Sequence, residues 1–103
     1  MRNAFPKFII EDGKLIISKC TYHKQLACDT RKVVGGGWFI FDLVKRMFIF
    51  DGNSTSEDFG SVSFEQIKKC VDDGEVYTNS SARMSVRHKF SFSYKKDNNI
   101  IEI

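Results

Sequence analysis

The chain has 103 residues, of which 42% are apolar and ten are phenylalanine. This size and composition predict one folded domain, residues 1–103, and exclude a disordered chain or a multidomain protein. The formal net charge is +3 and the basic residues are interleaved with acids, whereas nucleic-acid-binding surfaces carry clustered basic stripes, so we expect no nucleic-acid partner.

The N-terminal residues, the length of the apolar runs and the cysteines indicate the cellular compartment in which the protein is expected. Residues 1–7 lack the apolar core of a signal peptide, and no apolar run is long enough to cross a membrane. Cys20, Cys28 and Cys70 are odd in number, and their spacings match neither metal nor redox motifs. We therefore expect a reduced, cytoplasmic protein with no metal, no cofactor and no membrane partner.

The first third of the chain predicts a hairpin. A short apolar run at residues 7–10 is followed by Asp12-Gly13, and a two-residue turn of this type needs positive φ at both positions. The returning strand is predicted from Leu15 to about His23. Alternation places His23 on the same face as Ile17, and we expect that face to be open to solvent near the histidine.

Three successive glycines, Gly35 to Gly37, interrupt the next strand. Glycine is a poor strand former, so its use here indicates that the backbone comes close to another strand or to a ligand. Residues 24–31 before it are predicted as a turn or a single helical turn. Residues 38–41 and 47–50 are apolar on both faces, which predicts central strands covered on each side, joined by a polar connection at 42–46.

The second half of the chain contains the one clear helix. Ser63 and Gln66 form a capping-box pattern, apolar residues follow at helical spacing, and Gly74 supplies the stop, so the helix is predicted at about 64–73. Residues 75–78 predict a short strand, 79–85 a loop, 88–94 an alternating strand and 100–103 the end of a terminal hairpin. The predicted fold class is α+β, a mostly antiparallel or mixed sheet of hairpins with one main helix.

Several motifs occur in a characteristic order. Gly35-Gly36-Gly37 is followed by a hairpin with Asp42 and Lys45, and then by Gly52-Asn53-Ser54, Phe59-Gly60 and a helix beginning Val62-Ser63-Phe64-Glu65. Upstream, Tyr22-His23 and the run from Lys7 fit the same order. Together these motifs resemble the Janus family of phosphohistidine phosphatases, as a small bacterial or phage-type relative. The resemblance covers about residues 5–78, and residues 86–103 form an extra C-terminal hairpin.

The resemblance implies a metal-free phosphatase without a cofactor. It would hydrolyse phosphohistidine or another phosphoramidate, on a phosphorylated protein or a small molecule, with His23 as general base or nucleophile. Lys7 would supply positive charge, and the loop at 53–58 would bind phosphate through backbone N–H groups and through Ser54 or Ser56. The phosphate-binding residues that the resemblance implies also include Thr55 and Asp58. The structural glycines are Gly35, Gly36, Gly37, Gly52 and Gly60.

Two departures from the family pattern favour an alternative. Trp38 stands where the animal enzymes have an arginine, and Asp51 stands where the family has a tyrosine. Glu57 and Asp58 also weaken an anion site unless they point outward. The alternative is a non-catalytic binding or interaction module that retains the fold. His88 lies outside the resemblance and is interpreted as a surface residue.

Overall fold

The computed structural model describes residues 3–78, 84–85 and 89–103. Its one α-helix within these ranges, α1, spans Phe64–Asp72, and two short 3-10 helices span His23–Leu26 and Thr30–Lys32. The helices of the described ranges are too short and too polar to cross a membrane. The strands are β1 (Phe5–Glu11), β2 (Lys14–Cys20), β3 (Val33–Asp42), β4 (Met47–Asp51), β5 (Val76–Thr78), β6 (Met84–Ser85), β7 (Ser91–Lys96) and β8 (Asn99–Glu102).

The strands form one mixed sheet in the order β6-β5-β2-β1-β3-β4-β7-β8. The hairpins β1–β2 and β3–β4 lie side by side at its centre, with β1 antiparallel to β3. Strand β5 adds parallel to β2, and β7 adds parallel to β4. Each half of the sheet therefore repeats one plan: a hairpin, a parallel strand and an antiparallel edge strand. The predicted α+β class is confirmed.

Local signals set the first hairpin and the helix. Asp12 and Gly13 have φ of 53° and 76°, as the turn prediction requires. Ser63 is the N-cap of α1: its hydroxyl accepts from the N–H of Gln66 at 3.2 Å, and the Gln66 side chain accepts from the N–H of Ser63 at 2.7 Å. Gly74, with φ of 75°, follows the helix end. The predicted capping box, helix and stop are confirmed.

Both faces of the central hairpin β1–β2 are buried, which is why its apolar residues do not alternate with polar ones. Helix α1 covers one face, where the main core gathers Phe8, Leu15, Phe50 and Ile67. The segment 21–32 covers the opposite face, where Leu26 packs on a second cluster with Ile9 and Ile16. The second cluster lies beside the candidate site.

Four predictions about the strands need correction or completion. Strand β2 ends at Cys20, not near His23, and His23 is buried in a 3-10 helix where we expected an open face. Coverage of both faces holds for β4 but not for the end of β3, where Ile40 is 58% and Phe41 37% exposed.

Within the predicted loop at 79–85, residues 84–85 pair with β5 as a strand, and the other residues of that loop lie outside the described ranges. The C-terminal strand β7 begins at Ser91, and His88 also lies outside the described residues.

Candidate functional site

The polar loop at residues 52–60 is held against the half of β3 that β4 does not reach. Strand β4 pairs with β3 only from Phe39 to Asp42. Beyond that point the N–H of Gly36 donates to the carbonyl of Gly60 at 2.9 Å, and the carbonyl of Gly36 accepts from the N–H of Ser56 at 3.2 Å. The loop thus takes the place of a neighbouring strand at the glycine triplet.

The glycines allow this close approach. A Cβ on Gly35 would lie 2.5 Å from the carbonyl oxygen of Ser61, and one on Gly37 would lie 2.5 Å from Oγ of Ser54. On the opposite face, a Cβ on Gly36 would lie 3.1 Å from Cδ2 of the His23 ring. A Cβ on Gly36 would also collide with the backbone carbonyl of Phe8 on β1, so a side chain at any of the three would push away the loop, the histidine or β1.

Gly52 and Gly60 serve the same loop in different ways. A Cβ on Gly52 would collide with the ring of Tyr94. Gly60 has φ of 82°, a backbone conformation that residues with a side chain rarely adopt. These two glycines fix how the chain enters and leaves the loop.

His23 is fully buried and both nitrogens of its ring contact oxygen atoms. Its Nε2 lies 2.7 Å from the carbonyl oxygen of Gly37, and its Nδ1 lies 2.8 Å from Oε2 of Glu57. A carbonyl oxygen only accepts, so the proton on Nε2 is fixed by the sheet and Nδ1 is the nitrogen that faces the loop.

Lys7 reaches the same carboxylate from β1. Its Nζ lies 3.3 Å from Oε1 of Glu57 and also donates to the carbonyl of Thr21. The ammonium group lies 4.7 Å from the centroid of the Trp38 ring, and that ring packs edge-on against His23 at 6.1 Å. The Trp38 ring therefore packs against both the Lys7 ammonium and the His23 imidazole.

The carboxylate of Glu57 is the point on which these donors converge. Burial alone would raise the pKa of Glu57, but hydrogen bonds from its own N–H and from the N–H of His23, together with the His23 ring, lower that pKa to about 2. The N–H of His23 lies 3.3 Å from Oε1. The side chain of Glu57 is 42% exposed, whereas the side chains of Lys7 and His23 are 5% and 0% exposed.

The other predicted phosphate ligands stabilise the loop itself. Ser54 Oγ accepts from the N–H of Trp38 at 2.9 Å and donates to the carbonyl of Asp51 at 2.6 Å. Ser56 is buried, and its Oγ accepts from the N–H groups of residues 58 and 59 at 3.1 Å each. Thr55 is exposed. The N–H groups at 54, 56, 58 and 59 thus already have acceptors in the protein.

Acidic side chains position the segment that carries His23. Asp58 accepts from the N–H of Lys24 at 3.2 Å. The buried carboxylate of Glu11 accepts from the N–H of Cys28 at 3.0 Å and from that of Asp29 at 2.6 Å. Because these contacts hold the segment at both ends, His23 is presented to the loop in one orientation.

Metal-ligating side chains do not cluster at this site. Across residues 3–78, 84–85 and 89–103, no group of three or more His, Cys, Asp or Glu side chains has the arrangement of a metal site. The three cysteines are free thiols. Burial raises the pKa of the Cys70 thiol to about 11 and also raises that of Cys20, so neither is an activated nucleophile.

Comparison with known proteins adds no relative. The chain matches no protein-family model, no curated protein and no solved structure. The resemblance to the Janus family stays a prediction from the motifs.

Sequence reasoning grouped three parts of the chain that lie in contact in the structure, but it did not predict that Glu57 joins them. It placed His23, Lys7 and the loop in one site, and the structure brings all three to one carboxylate. It treated Glu57 only as an obstacle to anion binding. The available signal was Lys7 itself, because a lysine within an apolar strand needs an acid when it is buried.

Proposed function

We propose that this domain binds a phosphoryl group where the Glu57 carboxylate now lies, and hydrolyses a phosphoramidate such as phosphohistidine as a metal-free phosphatase of the Janus type. One observation carries the proposal. Lys7, His23 and the loop at 52–60 are far apart in the chain, yet their polar groups meet around a single oxyanion.

The donors around this carboxylate fit a phosphoryl group as well. They are the Lys7 ammonium and the backbone N–H groups of His23 and Glu57. Charge-assisted hydrogen bonds of this kind are the strong ones for phosphate. Phosphoryl transfer requires mainly positioning and stabilisation of charge, which buried cationic donors provide.

His23 is oriented for the reaction by the sheet. The carbonyl of Gly37 holds the proton on Nε2, so the neutral ring directs its lone pair at Nδ1 toward the phosphoryl position. As nucleophile, Nδ1 forms a bond to phosphorus while the bond from phosphorus to the substrate nitrogen breaks, and water then hydrolyses the phosphorylated ring. As general base, Nδ1 takes a proton from a water whose oxygen bonds to phosphorus while the bond from phosphorus to the substrate nitrogen breaks, and the proton then passes to the leaving nitrogen.

A non-catalytic binding or interaction module is the second candidate. It is favoured by the occupied state of the site: Glu57 fills the position of the phosphoryl group, and the His23 ring is shielded from solvent. In such a module, the contacts between Glu57, Lys7 and His23 would serve stability alone.

Hydrolysis of phosphohistidine by purified protein tests the proposal. We expect turnover by the wild type or by a Glu57→Ala variant. His23→Gln, which keeps a donor for the Gly37 carbonyl but lacks the ring lone pair, should lower the rate at least about 100-fold. His88→Gln, at the chain's other histidine, is the control and should leave the rate unchanged.

Circular dichroism of each variant shows whether the fold is retained. If the wild type and Glu57→Ala are both inactive while folded, the phosphatase proposal is overturned and the binding module is favoured. Trapping of a phosphorylated His23 after acid-free quenching would distinguish the nucleophile from the general base.

A further inference from the structure

Glu57 combines an accessible side chain with a carboxylate bound to buried groups. Its side chain is 42% exposed, whereas the side chains of its two partners are 5% and 0% exposed. The acid therefore enters the site from the surface and covers Lys7 and His23. We refer to the space that the carboxylate occupies, beside Nζ of Lys7 and Nδ1 of His23, as the pocket.

We propose that Glu57 is an internal competitor for this pocket, and that a phosphoryl dianion binds only by displacing its carboxylate. The inference rests on the proposed phosphoryl site and adds its regulation: the resting protein is closed by its own acid. Binding of ligand and withdrawal of Glu57 are then one exchange equilibrium.

The exchange is a movement of one side chain. The loop backbone is fixed on both sides of Glu57, because Ser56 and Gly60 bond each other and both bond Gly36 of β3. The carboxylate of Asp58 is tied to the N–H of Lys24 at 3.2 Å. With the backbone held, rotation of the Glu57 side chain toward solvent opens the pocket.

Competition with the Glu57 carboxylate should favour ligands that carry two negative charges over ligands that carry one. A carboxylate attached to the loop has a high effective concentration at the pocket, so a free monoanion with the same donors and the same charge does not replace it. A phosphoryl dianion carries a second charge and a third oxygen for Lys7 and for the His23 ring. The pocket should therefore take phosphate in preference to acetate.

Binding of inorganic phosphate to Glu57 variants is the direct test. Isothermal titration of Glu57→Ala and Glu57→Gln with phosphate should give affinities at least about tenfold higher than that of the wild type. Glu102→Gln removes the same charge at an exposed position of β8, away from the site, and should bind phosphate as the wild type does. Acetate should bind the wild type no better than chloride at equal ionic strength.

Thermal unfolding gives a second readout. Glu57→Ala leaves the Lys7 and His23 donors buried without their acceptor. This variant should melt lower than the wild type in chloride and recover in phosphate, and Glu102→Gln should show no recovery specific to phosphate. If Glu57→Ala fails to fold in both salts, the phosphate affinity of the isosteric Glu57→Gln decides.

The outcomes separate this inference from the phosphatase proposal. Equal phosphate affinity in the wild type and in the folded Glu57 variants overturns the competitor role, whatever the enzyme activity. Tighter phosphate binding by Glu57→Ala without any hydrolysis of phosphohistidine supports the competitor role and removes the catalytic one.

Discussion

At the scale of single residues, the site depends on the carboxylate of Glu57, which contacts both Lys7 and His23. Lys7 and His23 are both buried, and burial of an ammonium group or of polar ring nitrogens is costly unless partners compensate them. Glu57 provides that anion from a partly exposed loop. The same contact therefore stabilises the fold and closes the site.

The acid stability of the protein should report this contact. The pKa of Glu57 is about 2 in the folded protein, against an ordinary value of 4.5 for a glutamate. The unfolded chain therefore binds more protons between these values, and the stabilisation, present in full above pH 4.5, is lost as the pH falls toward 2. We expect the free energy of unfolding, measured with urea across this range, to fall more steeply for the wild type than for Glu57→Gln.

Asp29 is a second acid with a lowered pKa, because the side chain and backbone N–H of Arg31 bond it. Its titration is common to both proteins, so the difference between wild type and Glu57→Gln isolates the loop acid. Parallel stability curves for the two proteins would show that the Glu57 contact contributes nothing in solution.

At the scale of elements, short-range capping decides where α1 begins. The Ser63 and Gln66 side chains satisfy N–H groups at the helix start that have no partner within the helix. The helix then directs Ile67, Cys70 and Val71 into the main core. Its start also sets where the loop at 52–60 has to end.

Removal of the N-cap tests this role. Ser63→Ala should lower the free energy of unfolding by about 1 kcal/mol, because the N–H of Gln66 loses its acceptor. Ser61→Ala, an exposed serine outside the helix, is the matched control and should change stability by less than about 0.5 kcal/mol. Equal urea midpoints for the two variants would contradict the capping role.

At the scale of the whole molecule, aromatic packing joins the two halves of the sheet. Phe50 on β4 is fully buried and contacts the rings of Phe8 on β1, Phe39 on β3 and Phe92 on β7, with centroid separations of 5.1, 6.3 and 6.3 Å. Four strands thus share one ring, which makes this position a test of the assembled core.

Phe50→Ala should lower the free energy of unfolding by about 3–5 kcal/mol, since a large cavity would open between strands. Ile40→Ala, on the neighbouring strand with 58% of the residue exposed, is the control and should cost less than about 1 kcal/mol. Urea denaturation of both variants measures the difference. A loss below that of the control would mean that the core does not depend on this ring.

The prediction for β2 failed because it extended a local pattern past the end of the strand. Alternation through residues 15–23 looked continuous, yet β2 stops at Cys20 and Gln25 accepts from the N–H groups of Thr21 and Tyr22 at 2.9 and 2.8 Å. This contact turns the chain and carries His23 under the loop. The alternation of apolar and polar residues contains no information about a hydrogen bond between a side chain and the backbone.

The sequence by itself determined the turn at Asp12-Gly13, the helix from Ser63 to Gly74 and the α+β class, because these depend on backbone preferences and contacts within a few residues. Only the tertiary structure decided the parallel pairing of β5 with β2 and of β7 with β4, and the placement of Glu57 on Lys7 and His23. These contacts join residues far apart in the chain, and whether an acid faces water or a buried cation depends on the assembled surroundings.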